Sequence, residues 1–141
     1  MVEQKLSTYI ARIRSINKTR IMSLDVYLKR KRWISYDNCV TSTEETETIY
    51  ADNITHNLGK MAKEAGIYEA LWRPEEIGAT KAGQLIDILD EGLSDLKSRP
   101  TYFKQFDDPN GWGMYKHFVP FVEGYLNACI EFPYSDIEIS R

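Results

Sequence analysis

Leu24-Asp25-Val26-Tyr27-Leu28-Lys29 places an apolar residue at every second position, the spacing of a strand with one buried face. Elsewhere the apolar residues recur at helical spacing. Ala82, Leu85, Ile86, Leu89, Leu93 and Leu96 form the strongest such stripe. Thr80 is placed to cap its start, and Pro100 lies shortly past its end. Leu58, Met61, Ala62 and Ala65 repeat at i, i+3, i+4 and i+7, with Gly66 placed to stop that helix. Tyr115, Phe118, Val119, Val122, Leu126 and Cys129 form the last stripe, bounded by Pro133, and Pro120 either kinks it or marks its first turn. Two more short strands are expected, one at Thr48-Ile49-Tyr50 and one where Ile137 and Ile139 alternate with Asp136, Glu138 and Ser140. The polar run Thr41-Ser42-Thr43-Glu44-Glu45-Thr46-Glu47 reads as a surface loop or hairpin end. The expected fold class is α+β, a small antiparallel sheet packed by three to four helices in a single domain.

The chain of 141 residues is the length of one ordinary domain. Five Phe, nine Tyr and three Trp can build a core, which excludes general disorder. No run approaches about 18 consecutive apolar residues, so no transmembrane helix is expected. Met1-Val2-Glu3-Gln4-Lys5 lacks the apolar region of a secretory signal, so a soluble cytoplasmic protein is expected. The net charge of −3 is unevenly spread. Residues 1–32 hold nine Lys/Arg against Glu3 and Asp25, a net +7, and the remainder carries nine basic and 19 acidic residues, a net −10. Val2, Leu6, Tyr9, Ile10, Ile13 and Ile16 predict a basic amphipathic helix over 1–21, ahead of a single domain over 22–141. Such an arm either meets a polyanion or docks on its own acidic body. It lacks the aromatics that stack bases, which argues against nucleic acid as a partner. Cys39, Cys129, His56 and His117 are too few and too scattered for a zinc site, and neither a metal nor a cofactor is expected.

Three polar stretches stand out. Asn53-Ile54-Thr55-His56-Asn57-Leu58 opens the first central helix, with Asn53 or Thr55 as its cap. The helical wheel turns His56 away from that helix's core face, with Asn57 on the flank, which leaves His56 either as a solvent-exposed residue in a capping turn or as a ligand contact. In Leu71-Trp72-Arg73-Pro74-Glu75-Glu76, Pro74 starts a turn, and Trp72 beside Arg73 either is buried beside an ion pair or offers a stacking ring and a bidentate cation. Asp107-Asp108-Pro109-Asn110-Gly111-Trp112-Gly113 has a turn signal and glycines that let the backbone pass close to a neighbour. Standard catalytic motifs are missing, so no catalytic residue is assigned.

Taken together, Asn53 to Ala62, Ala65 to Tyr68, Leu71 to Glu76 and Asn110 to Gly113 resemble a family of small uncharacterised bacteriophage and prophage proteins. The family opens near Met-Ser-Leu-Asp-Val-Tyr-Leu, matched by Met22 to Leu28, and closes on Ser140-Arg141. The resemblance covers residues 22–141, makes Met22 an alternative start, and implies residence in the cytoplasm of a host cell. It carries no reaction. The expected function is that of a phage accessory protein binding a small anionic, nucleotide-derived ligand, with sequestration of a host immune signal as one use. The expected site combines Asn53, Thr55, His56 and Asn57 with Arg73, Asn110 and Gly111, and Trp72 or Trp112 supplies a stacking face. Binding is favoured over turnover because no nucleophile is identified. One rival reading is an inhibitor that meets a host protein through the basic arm, and another is a small hydrolase with His56 as base. The sequence leaves homo-oligomerisation open and gives no sign of a membrane partner.

Overall fold

The computed structural model describes residues 23–35 and 42–141. The predicted helix over 1–21 and Cys39 lie outside the described residues. Three strands, β1 (Ser23–Ser35), β2 (Ser42–Thr55) and β3 (Asp136–Ser140), form an antiparallel sheet in the order β2-β1-β3. The α+β reading holds. Among the described residues the helices number five rather than three to four: α1 (Gly59–Glu64), α2 (Tyr68–Trp72), α3 (Ile86–Ser98), α4 (Pro100–Lys104) and α5 (Tyr115–Glu131). The extra ones are short, and Pro74 and Pro100 each start a new turn where the preceding helix stops.

The alternation in β1 does what its period requires. Leu24, Val26 and Leu28 are fully buried, and the cross-strand partners Ile54, Tyr50, Ile139 and Ile137 complete that face. Helices α3 and α5 pack against each other over this layer, and Leu89, Leu96, Phe118 and Val122 have no exposed surface. Pro120 lies inside α5 and does not mark its first turn. Gly66 takes a left-handed φ of 78° just past α1, as its place in the sequence predicts.

Four expectations are corrected. Of the two readings of this polar run, the surface loop is corrected: residues 42–47 are the first half of β2, at the end of its hairpin with β1. Their register places Glu47 opposite Arg30 and Glu45 opposite Arg32, and a single Glu47 carboxylate accepts from Arg30 and pairs with Arg32, each at 2.9 Å. A polar strand fits there because arginines of β1 stand opposite glutamates of β2, although exposed pairs contribute only about 0–1 kcal/mol each. Asn53 belongs to the end of β2 and does not open a helix. Thr80 is not the cap before α3; instead the Gln84 side chain accepts from the backbone N–H groups of Thr80 and Lys81, both at 2.8 Å. Ala82–Leu85 form a separate 3-10 turn, so the long stripe is split in two.

The pairing also bears on the charge asymmetry. Lys29, Arg30, Lys31 and Arg32 are all within ion-pair distance of Glu138, Glu47 or Glu44. For this described part of the basic stretch, the reading that it docks on its own acidic residues is the one observed.

One buried group is out of place. Tyr125, fully buried and stacked on Tyr50 with ring centroids 6.0 Å apart, has a hydroxyl without a hydrogen-bond partner among the described residues. An unpaired buried hydroxyl costs about 1–3 kcal/mol, so Tyr125→Phe should raise stability by about 1 kcal/mol in urea unfolding. A loss of stability instead would show that the hydroxyl is bonded in solution.

Candidate functional site

The site grows from the junction where β2 gives way to the first helices. Thr55 Oγ1 accepts from the Asn57 backbone N–H at 3.3 Å and caps a 3-10 turn over His56–Leu58. That turn sets His56 against Trp72, whose indole Nε1–H donates to His56 Nδ1 at 2.7 Å. Trp72 is only 2% exposed because α2 turns it inward, and its ring stacks on Tyr68 at 5.1 Å with planes 11° apart. Its carbonyl in turn accepts from an Arg141 guanidinium N–H at 2.7 Å. Trp72 is therefore a fixed hub.

Burial holds the His56 imidazole below its ordinary value of 6.5. In the neutral ring, Nδ1 is the acceptor used by Trp72, so Nε2 carries the proton. A ring so held offers a donor N–H and suits recognition of an acceptor oxygen better than abstraction of a proton. The unfolded chain takes up this proton first on acidification, so His56 contributes stability that is present above pH 6.5 and is lost as the pH falls through the folded value. His56→Gln, which keeps an acceptor but cannot titrate, should flatten that part of the stability–pH curve in thermal melts between pH 7 and 5.

His56, Trp72 and Arg73 line an open cleft of about 810 Å³. The same cleft is lined by Lys60 and Lys63 from α1, by Tyr68 from α2 and by Arg141 next to β3. Four cationic side chains thus surround one carboxylate, Glu64, whose Oε1 already accepts from the Tyr102 hydroxyl at 2.7 Å. Arg141 is steadied by Glu75 at 3.1 Å, and Arg73 lies 3.9 Å from Glu76. Among the described residues, no carboxylate pairs with Lys60 or Lys63. Their ammonium groups sit instead over aromatic rings, Lys60 5.6 Å from the Phe106 centroid and Lys63 4.8 Å from that of Tyr68. Compared with known proteins, the chain matches no family model, no curated protein and no solved structure.

The remaining expected site residues are placed elsewhere. Asn53 and Thr55 line a second cavity, of about 460 Å³, together with Gly113, Lys116 and His117 at the start of α5. Asn57 points its amide at the Trp112 carbonyl, donating at 2.8 Å, and so ties the 107–113 loop to the 3-10 turn. Gly113 makes that approach feasible: its φ is 103°, and a Cβ there would lie 2.8 Å from Thr55 Cγ2. Asn110 and Gly111 form a turn closed on Asp108, and Trp112, 69% exposed, lines neither of these two cavities. The structure therefore brings His56, Trp72 and Arg73 together and leaves the Asn110–Trp112 loop as a neighbour on the other side of Asn57.

Lys60, Lys63, Tyr68 and Arg141 were not singled out from sequence. A signal existed for two of them, because His56, Lys60 and Lys63 stand at i, i+4 and i+7. Arg141 had only its place in the closing Ser140-Arg141 pair, 69 residues from the carbonyl it binds. Among the described residues, no three His, Cys, Asp or Glu side chains are grouped to hold a metal ion, and no helix is long and apolar enough to cross a membrane.

Proposed function

We propose that the protein binds a small phosphate-bearing anion in the cleft between α1, α2 and Arg141, and that it acts by binding rather than by turnover. The observation that carries this reading is the charge balance of the cleft: four cations around one carboxylate that already accepts a hydrogen bond. Two of those cations have no carboxylate partner among the described residues, and guanidinium and ammonium groups so placed match phosphate oxygens. The neutral imidazole adds one more donor and no obvious base. The resemblance to phage proteins supplies a use for such a binder, which is removal of a host nucleotide signal from solution.

Calorimetric titration of the full chain with inorganic pyrophosphate tests the reading. One saturable site is expected at low ionic strength, weakening markedly between 0.05 and 0.5 M salt (order-of-magnitude conditions set by about 10 Å of screening at 0.1 M). Absence of binding at millimolar pyrophosphate and low salt would overturn it.

A further inference from the structure

Phosphate oxygens account for the cations of the cleft but not for its aromatic wall. Trp72 cannot receive a flat ligand, because it is 2% exposed and its ring is stacked on Tyr68. Trp112 is open but belongs to neither of the two cavities described. Tyr68 differs from both. It is half-buried, it lines the cleft, and one face is backed by the Trp72 ring. Over the ring lies the Lys63 ammonium, 4.8 Å from the centroid, on a flexible four-carbon stem.

We propose that the ligand of this cleft carries an aromatic ring beside its phosphate, as a nucleotide does, and that Tyr68 is the platform on which the base stacks. This inference rests on the reading of the cleft as a phosphate site. Lys63 is the cover of that platform in the absence of ligand. When a nucleotide enters, the ammonium swings from the ring to the phosphate, and the base takes the place it leaves. The exchange replaces a cation–π contact by ring stacking and gives the cation a formal counter-charge, so both halves of the ligand gain a partner. The platform is rigid before binding, since Trp72 behind it is fixed through its indole N–H on His56 and its carbonyl on Arg141. A surface ordered in advance loses little freedom on binding. The arrangement makes Tyr68 a specificity-determining residue that separates nucleotides from plain sugar phosphates.

The test compares adenosine 5′-monophosphate, ribose 5-phosphate and inorganic phosphate by calorimetry on the parent, Tyr68→Phe and Tyr68→Leu. Stacking of one base on an aromatic side chain is expected to separate the nucleotide from ribose 5-phosphate by about tenfold or more in the parent. Tyr68→Phe should keep that separation, and Tyr68→Leu should remove it, so that the nucleotide and ribose 5-phosphate bind that variant equally. The two base-free probes also report whether the Leu variant keeps a folded cleft. Equal affinity of the nucleotide and ribose 5-phosphate for the parent would overturn the stacking platform and leave the phosphate site standing. Failure of all three to bind would remove the phosphate site and this inference with it.

Discussion

Replacing Lys60 and Lys63 together by alanine should weaken pyrophosphate binding on the order of a hundredfold, with little effect on stability. Hydrogen bonds to charged groups are worth about 1.5–3 kcal/mol, and the low end applies in an open cleft where water screens them. At about 1.4 kcal/mol each, two such contacts multiply to roughly a hundredfold. Both side chains are paired with no carboxylate among the described residues, so removing them leaves no buried anion behind. Their remaining contacts are with the Phe106 and Tyr68 rings, and surface changes of this kind usually stay within about 0.5 kcal/mol of the parent. Lys116→Ala, in the second cavity, is the matched control. If the double variant binds as the parent does and Lys116→Ala does not, the ligand belongs to the other cavity.

Trp72→Ala is expected to be the most damaging single change to the fold near the site, at about 3–5 kcal/mol by urea unfolding. Against a typical total of about 5–15 kcal/mol, that is a large fraction. The cost has three sources. The buried indole volume is lost, Tyr68 loses its stacking partner, and His56 Nδ1 loses its donor. Trp72→Phe separates them, because a ring remains but the N–H does not. It should cost less than half as much as Trp72→Ala. A Trp72→Ala variant as stable as the parent would mean that the ring is not packed as described.

The same residues show how far the sequence could be read. Strand β1 was legible because Leu24, Val26 and Leu28 alternate over a buried face, and α3 and α5 because their stripes are long. Strand β2 was legible only at Thr48-Ile49-Tyr50. Its first half has no apolar period, and what orders it is the ion pairing of Arg30 and Arg32 with Glu47 across the ribbon, a pairing visible only once register is known. The short helices α2 and α4 follow from proline punctuation more than from periodicity. At the site, His56, Trp72 and Arg73 stood out as polar or aromatic residues at element ends, and the fold does gather them. The Asn110–Trp112 loop also stood out, but Asn57 and the close approach of Gly113 account for its composition without a ligand. Lys60 and Lys63 are marked only by their spacing from His56, and Arg141 only by the closing Ser140-Arg141 pair. Their convergence is a property of the tertiary structure.

The most direct test of the account is to map where an anion lands. In amide chemical-shift titration of the isotopically labelled full chain with pyrophosphate, the largest saturable shifts should fall on His56, Lys60, Lys63, Tyr68, Arg73 and Arg141. The Trp72 indole N–H should move with them, since it is bonded to His56. Shifts centred instead on Asn53, Lys116 and His117, or none at saturating pyrophosphate, would contradict the assignment of the cleft.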